Sequence, residues 1–459
     1  MEDTIAAIAT ATSPAGISVI RISGPQALET AEAVFVTPSG KKKDFHKAES
    51  HTIHYGYIEE RGERIDEVLL LLMKAPRSYT AEDTVEIDCH GGILVTRKIL
   101  ETVCRHGARP AEPGEFTKRA FLNGRIDLSQ AEAVTDLISA KNQFALKSSV
   151  SQLQGTVAET VHHFRNEILD SIAFIEAALD DPEHLSVDGY GEVLEQKLQP
   201  MIEELQRLID SSENGRILTE GIRTVLLGKP NAGKSSILNL LAGSERAIVT
   251  DIAGTTRDAI EEQIRIGDFS FQMMDTAGIR NTEDKVERIG VEKARTLAKE
   301  ADLILYVCDT SVPLDENDEE ILPILQGKKV IYLLNKSDLT PVLQKEDLEA
   351  RGIAGPFVEI SAANGTGRVE LEQLLTELFE TGEISWNDQV FLTNERQKAE
   401  FRNAENSLKM VQESIKSGMS EDFFTIDLMN AYTSLGMVVG EAVEEDLVNR
   451  IFSKFCMGK

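Results

Sequence analysis

The segment Gly228-Lys229-Pro230-Asn231-Ala232-Gly233-Lys234-Ser235-Ser236 constrains this chain more than any other stretch. It follows the apolar run Thr224-Val225-Leu226-Leu227 and precedes the helix-like run Ile237-Leu238-Asn239-Leu240-Leu241-Ala242. A strand, Gly-x-x-x-x-Gly-Lys-Ser and a helix, in that order, make a phosphate-cradling loop. The glycines let successive backbone N–H groups turn inward toward phosphate oxygens. The positive end of the following helix adds to that field. Lys234 is spaced to reach the β- and γ-phosphates of a nucleoside triphosphate, and Ser235 to ligand Mg²⁺ through its hydroxyl. Asn231, Ala232, Gly233 and Ser236 belong to the same contact set. The bland alternative is a glycine-rich turn that only joins strand to helix. Four further motifs, each C-terminal to this loop, argue against it.

The first is Thr250-Asp251-Ile252-Ala253-Gly254-Thr255-Thr256-Arg257-Asp258, where Thr256 is the candidate second Mg²⁺ ligand. Asp275-Thr276-Ala277-Gly278 comes directly after the strand-like residues 271–274. There Asp275 suits the Mg²⁺ shell and the Gly278 amide suits the γ-phosphate, so both loops can be ordered by that phosphate and released on hydrolysis. Asn335-Lys336-Ser337-Asp338 ends another strand. The Asp338 carboxylate can accept the paired N–H groups of guanine, which adenine lacks, and Ser361-Ala362 can cap the base. Five weak motifs in order predict a GTP-binding P-loop GTPase.

Signalling GTPases place a water-orienting Gln after Asp-x-x-Gly, but this chain has Ile279 there. Glu287 lies on the same segment and is the candidate to orient water through a bridging water. Its bland role is a first-turn carboxylate favoured by the helix dipole. Asn231 raises a second possibility. Its amide oxygen, with Thr250, the Ile252 carbonyl and Thr255, could hold a monovalent cation whose charge stabilises the transition state. Alternatively Asn231 is simply a turn residue tolerant of unusual backbone angles.

The rest of the chain alternates in character. Residues 1–119 read as α+β, with strand-like runs at 17–22, 52–58, 68–73 and 84–88 and helix-like runs at 26–34 and 93–106. Arg21 and Glu86 stand on otherwise apolar strands, either at a water-facing edge or as ligand contacts. From 116 to about 179 apolar residues recur at three- and four-residue steps on long helices, with Asp180-Asp181-Pro182 as a stop and a further helix at 193–208; the part is bounded at 120–216. Residues 217–382 carry strands at 224–227, 262–266, 269–274, 303–308, 330–334 and 357–360. Between these lie helices at 235–242, 288–298, 316–325 and 369–378, the rhythm of a doubly wound, mostly parallel sheet. Helical periodicity returns from about 394 to 454, in a part bounded at 383–459. The fold expectation is therefore multidomain: an α+β N-terminal part, then a helical domain into which a doubly wound P-loop GTPase domain is inserted.

Charge bounds the partners. The net is −29, from 48 basic and 77 acidic residues. Residues 1–120 hold 15 and 18 of these, so −26 falls on the remainder. A general nucleic-acid binder needs clustered Lys and Arg, which leaves only a local patch or a partner subunit as a route to nucleic acid. Four cysteines without C-x-x-C spacing argue against structural zinc and a disulfide scaffold. No apolar run reaches the ~18 residues of a membrane span, and the expected setting is the cytoplasm, with no membrane contact.

Three regions together resemble one family. They are Pro113-Gly114-Glu115-Phe116-Thr117-Lys118-Arg119-Ala120-Phe121-Leu122-Asn123-Gly124-Arg125, the inserted unit with Gly254-Thr255-Thr256-Arg257-Asp258, and the terminal Phe455-Cys456-Met457-Gly458-Lys459. Together they resemble the MnmE (TrmE) family of bacterial tRNA-modification GTPases, and the likeness runs end to end. The resemblance implies a folate-binding N-terminal domain that forms a homodimer, and GTPase domains that pair in a K⁺-dependent way. It implies a heterotetramer with the FAD-dependent partner MnmG. It also implies tRNA as substrate, modified with an aminomethyl-type group at C5 of the wobble uridine. The carbon comes from a tetrahydrofolate derivative, 5-formyl- or methylene-tetrahydrofolate. By motif the folate contacts are Arg21, Glu86, Arg125 and Lys459, with Arg125 standing where the family often has Lys. Cys456 is either a thiol nucleophile or a small buried hydrophobe. The competing expectations are a pure molecular switch and a folate-binding regulator without chemistry of its own.

Overall fold

In a computed structural model of the chain, the described residues are 3–140, 142–187, 189–242, 262–266, 269–274, 290–380, 392, 394–441, 445–453, 455 and 458. They fall into two units. One comprises Met1–Thr135, Gln152–Ile202 and Glu400–Lys459, and the other comprises Asp136–Ser151 and Glu203–Ala399.

The first unit holds a seven-stranded sheet in the order β3-β4-β5-β6-β2-β1-β7. Its strands are β1 (Thr4–Ile8), β2 (Ile17–Ser23), β3 (Phe35–Val36), β4 (Thr52–Glu60), β5 (Glu63–Met73), β6 (Thr84–His90) and β7 (Ala108–Pro110). Neighbours are antiparallel except β1 and β7, which are parallel. Alternation sends Ile20, Ile22, Leu70, Leu72, Val85 and Ile87 to one face. There they pack with Leu28, Ala31 and Val34 of α1 (Ala27–Val34) and with Ile99 and Val103 of α2 (Ile93–Arg105). Each aliphatic side chain of this size contributes about 1.5–3 kcal/mol when buried. Arg21, Glu86 and Asp88 point to the opposite face, where Arg21 stands directly across from Glu86. Because β2 lies between β6 and β1, the water-facing edge reading of Arg21 does not hold. The four expected strands are β2, β4, β5 and β6; β1, β3 and β7 are additions.

Helices supply the rest of this unit. The helix Glu445–Phe452 packs Val448 and Phe452, with Phe455, on Ala120 of α3 (Glu115–Leu122) and on Leu128 and Ala131 of α4 (Leu128–Ser139). After α5 (Gln143–Leu153), most of which belongs to the second unit, comes α6 (Thr156–Asp180). In α6 the stripe Val157, Val161, Phe164, Ile168, Ile172 and Ile175 is buried, as its three- and four-residue steps require. The helix packs against Glu421–Val439. Arg165 passes over Gly436, lies 4.1 Å above the Tyr432 ring and pairs with Glu441. A side chain at 436 would meet the guanidinium at 3.2 Å. The expected 193–208 helix is longer, α7 (Tyr190–Glu220), which carries Pro200 inside it and belongs to the second unit from Glu203 onward.

The second unit holds a six-stranded sheet in the order β13-β12-β11-β8-β10-β9. Its strands are β8 (Ile222–Leu227), β9 (Glu262–Ile266), β10 (Phe269–Met273), β11 (Leu303–Asp309), β12 (Val330–Asn335) and β13 (Phe357–Ile360). All neighbours are parallel except the edge pair β9 and β10. Strand β11 is buried on both faces. Leu303, Leu305 and Val307 enter one core, and Ile304, Tyr306 and Cys308 the other. Double burial is why such strands read as unbroken apolar runs. All six expected strands are present. The expected 316–325 helix is Glu316–Ile321 continued by a 3₁₀ turn, Leu322–Leu325.

Candidate nucleotide site and a second cationic site

The phosphate loop joins the carboxyl end of β8 to α8 (Lys234–Ala242). Strand order reverses at β8, and ligands of open α/β sheets bind at such switch points. Two glycines are required by close approach as well as by φ. A Cβ on Gly228 (φ 147°) would lie 2.4 Å from the Val307 carbonyl oxygen. A Cβ on Gly233 (φ 99°) would lie 2.2 Å from Asn335 Nδ2. Lys234 Nζ donates to the carbonyls of Gly228 and Lys229, at 2.8 Å each, and so curls over its own loop. Asn231 adopts φ 62°, which its role as a turn residue already accounts for.

The base-reading loop is bonded to the phosphate loop. Asn335, at the end of β12, donates from Nδ2 to the Ala232 carbonyl at 2.8 Å and accepts from the Ala362 N–H at 3.2 Å. Lys336 has φ 65° and its Nζ lies 2.6 Å from Asp309 Oδ2. Burial pushes the Asp309 carboxyl upward, but Lys336 and Ser311 hold it below the usual carboxylate range. Ser361 donates to Asp338 Oδ1 at 2.6 Å and fixes that carboxylate. Asn335, Lys336, Asp338, Ser361 and Ala362 are thus assembled with Ala232, Gly233 and Lys234. Glycine-only approaches, a lysine over the loop and an oriented carboxylate fit a guanine nucleotide. Residues 250–256, 275–278 and Glu287 lie outside the described residues.

The second site is in the first unit. Arg21 Nε donates to Glu86 Oε1 at 2.7 Å, and its Nη1 donates to the Gly458 carbonyl at 3.4 Å. The guanidinium stands 5.1 Å from the centre of the Tyr79 ring and 5.6 Å from that of Phe116. Arg125 also stands over Tyr79, at 5.0 Å, and donates to its carbonyl at 3.0 Å. Arg21, Glu86 and Arg125, three residues far apart in sequence, are therefore gathered around one aromatic ring. Tyr79 and Phe116 are the residues that sequence reasoning missed. Burial and the neighbouring Glu86 push the Asp88 carboxyl upward on the same face. The tail is threaded tightly. Gly458 (φ 84°) has no room for a Cβ, which would lie 2.4 Å from the Ile8 carbonyl oxygen. Cys456 and Lys459 lie outside the described residues. Two guanidinium groups thus stand against one aromatic ring, and one of them is held there by a carboxylate.

Comparison with known proteins decides the family. Residues 4–125 match the family model "GTP-binding protein TrmE N-terminus", and residues 128–456 match "MnmE helical domain". A protein of Lachnoclostridium phytofermentans is 56% identical over 457 residues, covering 100% of this chain and 99% of its own. One of Bacillus subtilis is 44% identical over 460 residues, covering 100% of both. The chain belongs to the MnmE family. Both relatives bear the name tRNA modification GTPase MnmE. Among solved structures, the G domain of the T. maritima FeoB iron transporter is 25% identical. It covers 34% of this chain and 97% of its own, with a TM-score of 0.26. The MnmE helical-domain match begins and ends on either side of the six-stranded sheet. That agrees with a P-loop α/β unit set within a helical one.

Proposed function

We propose that this chain is a GTP-hydrolysing enzyme of tRNA modification. With an FAD-containing partner, MnmG, it adds an aminomethyl-type (carboxymethylaminomethyl) group to C5 of the wobble uridine of certain tRNAs, using a tetrahydrofolate one-carbon unit. The observation that carries this reading is the coexistence, in a chain similar over its full length to tRNA modification GTPases, of a phosphate loop bonded to a guanine-reading loop and a separate Arg21–Tyr79–Arg125 cluster. A pure switch needs only the first. The division into 1–119, 120–216, 217–382 and 383–459 belongs to the same reading.

Within it, Lys234 and the loop amides bind the phosphates, Ser235 and Thr256 hold Mg²⁺, and Asp338 selects guanine. Glu287 orients the attacking water. Arg21, Arg125 and Lys459 hold the folate's anionic groups, with Glu86 orienting Arg21 and Cys456 as the nucleophile candidate. Exposed Ile17, Ile53, Tyr55 and Leu69 share the face of the N-terminal sheet opposite its helices, which supports a homodimer formed through that domain. Among the described residues no helix is long and apolar enough to cross a membrane.

The decisive experiment compares modified nucleosides in tRNA from cells lacking the protein, complemented by wild type or by Glu287→Ala. Wild type restores the wobble-uridine modification. Glu287→Ala, at normal levels and with normal GTP binding, restores little of it and hydrolyses GTP at least about 10-fold more slowly, a barrier increase above about 1.4 kcal/mol. Unchanged tRNA on deletion would overturn the reading.

The cation shell of Asn231, Thr250, Ile252 and Thr255 makes a second expectation. Hydrolysis runs at least about 10-fold faster in potassium than in sodium salts at equal ionic strength, because a bound charge replaces an arginine finger. Equal rates exclude the shell.

A further inference from the structure

The segment C-terminal to β11 touches both nucleotide-binding loops. Asp309 ends the strand and holds Lys336 of the base-reading loop at 2.6 Å. Thr310 donates twice to the Asn335 carbonyl, from N at 3.0 Å and from Oγ1 at 2.9 Å. A few residues later the same segment reaches the phosphate loop. Lys229, the first variable residue of Gly-x-x-x-x-Gly-Lys-Ser, does not turn toward solvent. Its Nζ donates to Asp318 Oδ2 at 2.8 Å and to the Pro313 carbonyl at 2.9 Å, with Asp315 at 3.4 Å. Asp318 is fully buried in the helix Glu316–Ile321. It also accepts from the hydroxyl of Tyr306 on β11 at 2.7 Å and from the Asp315 N–H at 3.1 Å.

A cation and a carboxylate withdrawn from water are tolerated only when their remaining polar atoms find partners, and here they do. Burial pushes Lys229 down, yet Asp318 and Asp315 hold its ammonium above the ordinary lysine range. The Lys229 carbonyl is one of the two that receive Lys234 Nζ. The side chain therefore anchors the same residue whose backbone positions the phosphate-binding lysine.

We propose that the segment Asp309–Asp318 is a brace that sets the phosphate loop against the base-reading loop, with Lys229 and Asp318 as its positioning pair. The pair acts through its own bonds, by keeping the loop in the shape that binds. In this chain the first variable position of the motif is thus a residue with a defined partner. The inference rests on the unit being a guanine-nucleotide binder.

The test measures release of N-methylanthraniloyl-GDP from the full-length chain, alongside its melting temperature. Lys229→Met and Asp318→Asn are each expected to raise the release rate at least ~10-fold, whereas Lys229→Arg, which keeps the cation though not its shape, is expected to raise it less than Lys229→Met does. The double variant Lys229→Met/Asp318→Asn is expected to release no more than ~2-fold faster than the faster single variant, because both break one interaction. If Lys229→Met does not fold, Asp318→Asn and Lys229→Arg carry the test. A lowered melting temperature with an unchanged release rate, or multiplying effects in the double variant, overturns the brace. If wild type binds no labelled GDP, the brace and the nucleotide reading fall together. If wild type binds and the variants release at its rate, only the brace falls.

Discussion

Gly233→Ala abolishes guanine-nucleotide binding, with affinity falling at least ~100-fold, about 2.7 kcal/mol. Two independent costs arise at this one position. The residue sits at φ 99°, a region in which a Cβ is itself strained. In addition, the new methyl would be placed 2.2 Å from Asn335 Nδ2, well inside van der Waals contact. Asn335 cannot simply move aside. Its amide is buried and spends both ends on hydrogen bonds, one to the Ala232 carbonyl and one from the Ala362 N–H. Displacing it breaks the contact between the phosphate and base-reading loops, so a single methyl disturbs both halves of the site. Titration with labelled GDP checks this. Affinity within ~3-fold of wild type would mean that the two loops adapt independently. A lowered melting temperature is the expected companion result, because strain in the folded loop and displacement of a buried, hydrogen-bonded amide both destabilise the folded state.

How legible this site was in the sequence depended on how locally each residue acts. Lys234, Asn335 and Asp338 could be placed from sequence because each stands at or beyond the end of a doubly buried strand, and such strands read as apolar runs with polar residues at their ends. Lys229, Asp309 and Asp318 could not. Their partners lie 84 to 89 residues away for Lys229 and 27 for Asp309, and motif spacing carries no information about pairs formed by chain crossover. Tyr79 was invisible for a similar reason. It is a single aromatic in a polar connection, Arg77-Ser78-Tyr79-Thr80, and only the pairing of β2 with β6 and the return of the chain to Arg125 reveal that it lies between two cations. Arg21 and Glu86 were suspicious as charges on apolar strands. Topology then explained them: on an interior strand a charge must find a partner, and each finds the other. Strand β1, Thr4-Ile5-Ala6-Ala7-Ile8, was missed because small residues carry weak strand propensity. It exists through its pairing with β2 and β7.

The largest stability effect is expected at Arg119, whose guanidinium is fully buried. Nη1 donates to the Asp3 carbonyl at 2.8 Å and Glu82 Oε2 lies at 3.2 Å; Nη2 donates to Asp3 Oδ1 at 2.8 Å and to Glu115 Oε1 at 3.1 Å. The cation thereby ties α3 to the start of β1 and to the connection before β6. Arg119→Leu removes the charge that Glu115 and Glu82 face inside the protein. Breaking a buried network from one side costs about 3–5 kcal/mol, which in a unit of this size lowers the melting temperature by roughly 10 °C. Calorimetry of the full chain reads this directly, and a shift below ~3 °C would mean that solvent or Arg109 replaces the lost cation. The pH dependence gives an independent check. Burial pushes the carboxyls of Glu115 and Asp3 upward, but hydrogen bonds from Arg109 and Arg119 bring both below their ordinary values of 4.5 and 3.8. The unfolded chain consequently binds more protons than the folded one in that range. The stability they contribute is complete above about pH 4.5 and is lost as pH falls through their depressed folded values. Removing Arg119 raises those folded values toward the ordinary ones. The Arg119→Leu variant should therefore be less stable at neutral pH and should lose less further stability between about pH 5 and pH 3 than wild type does.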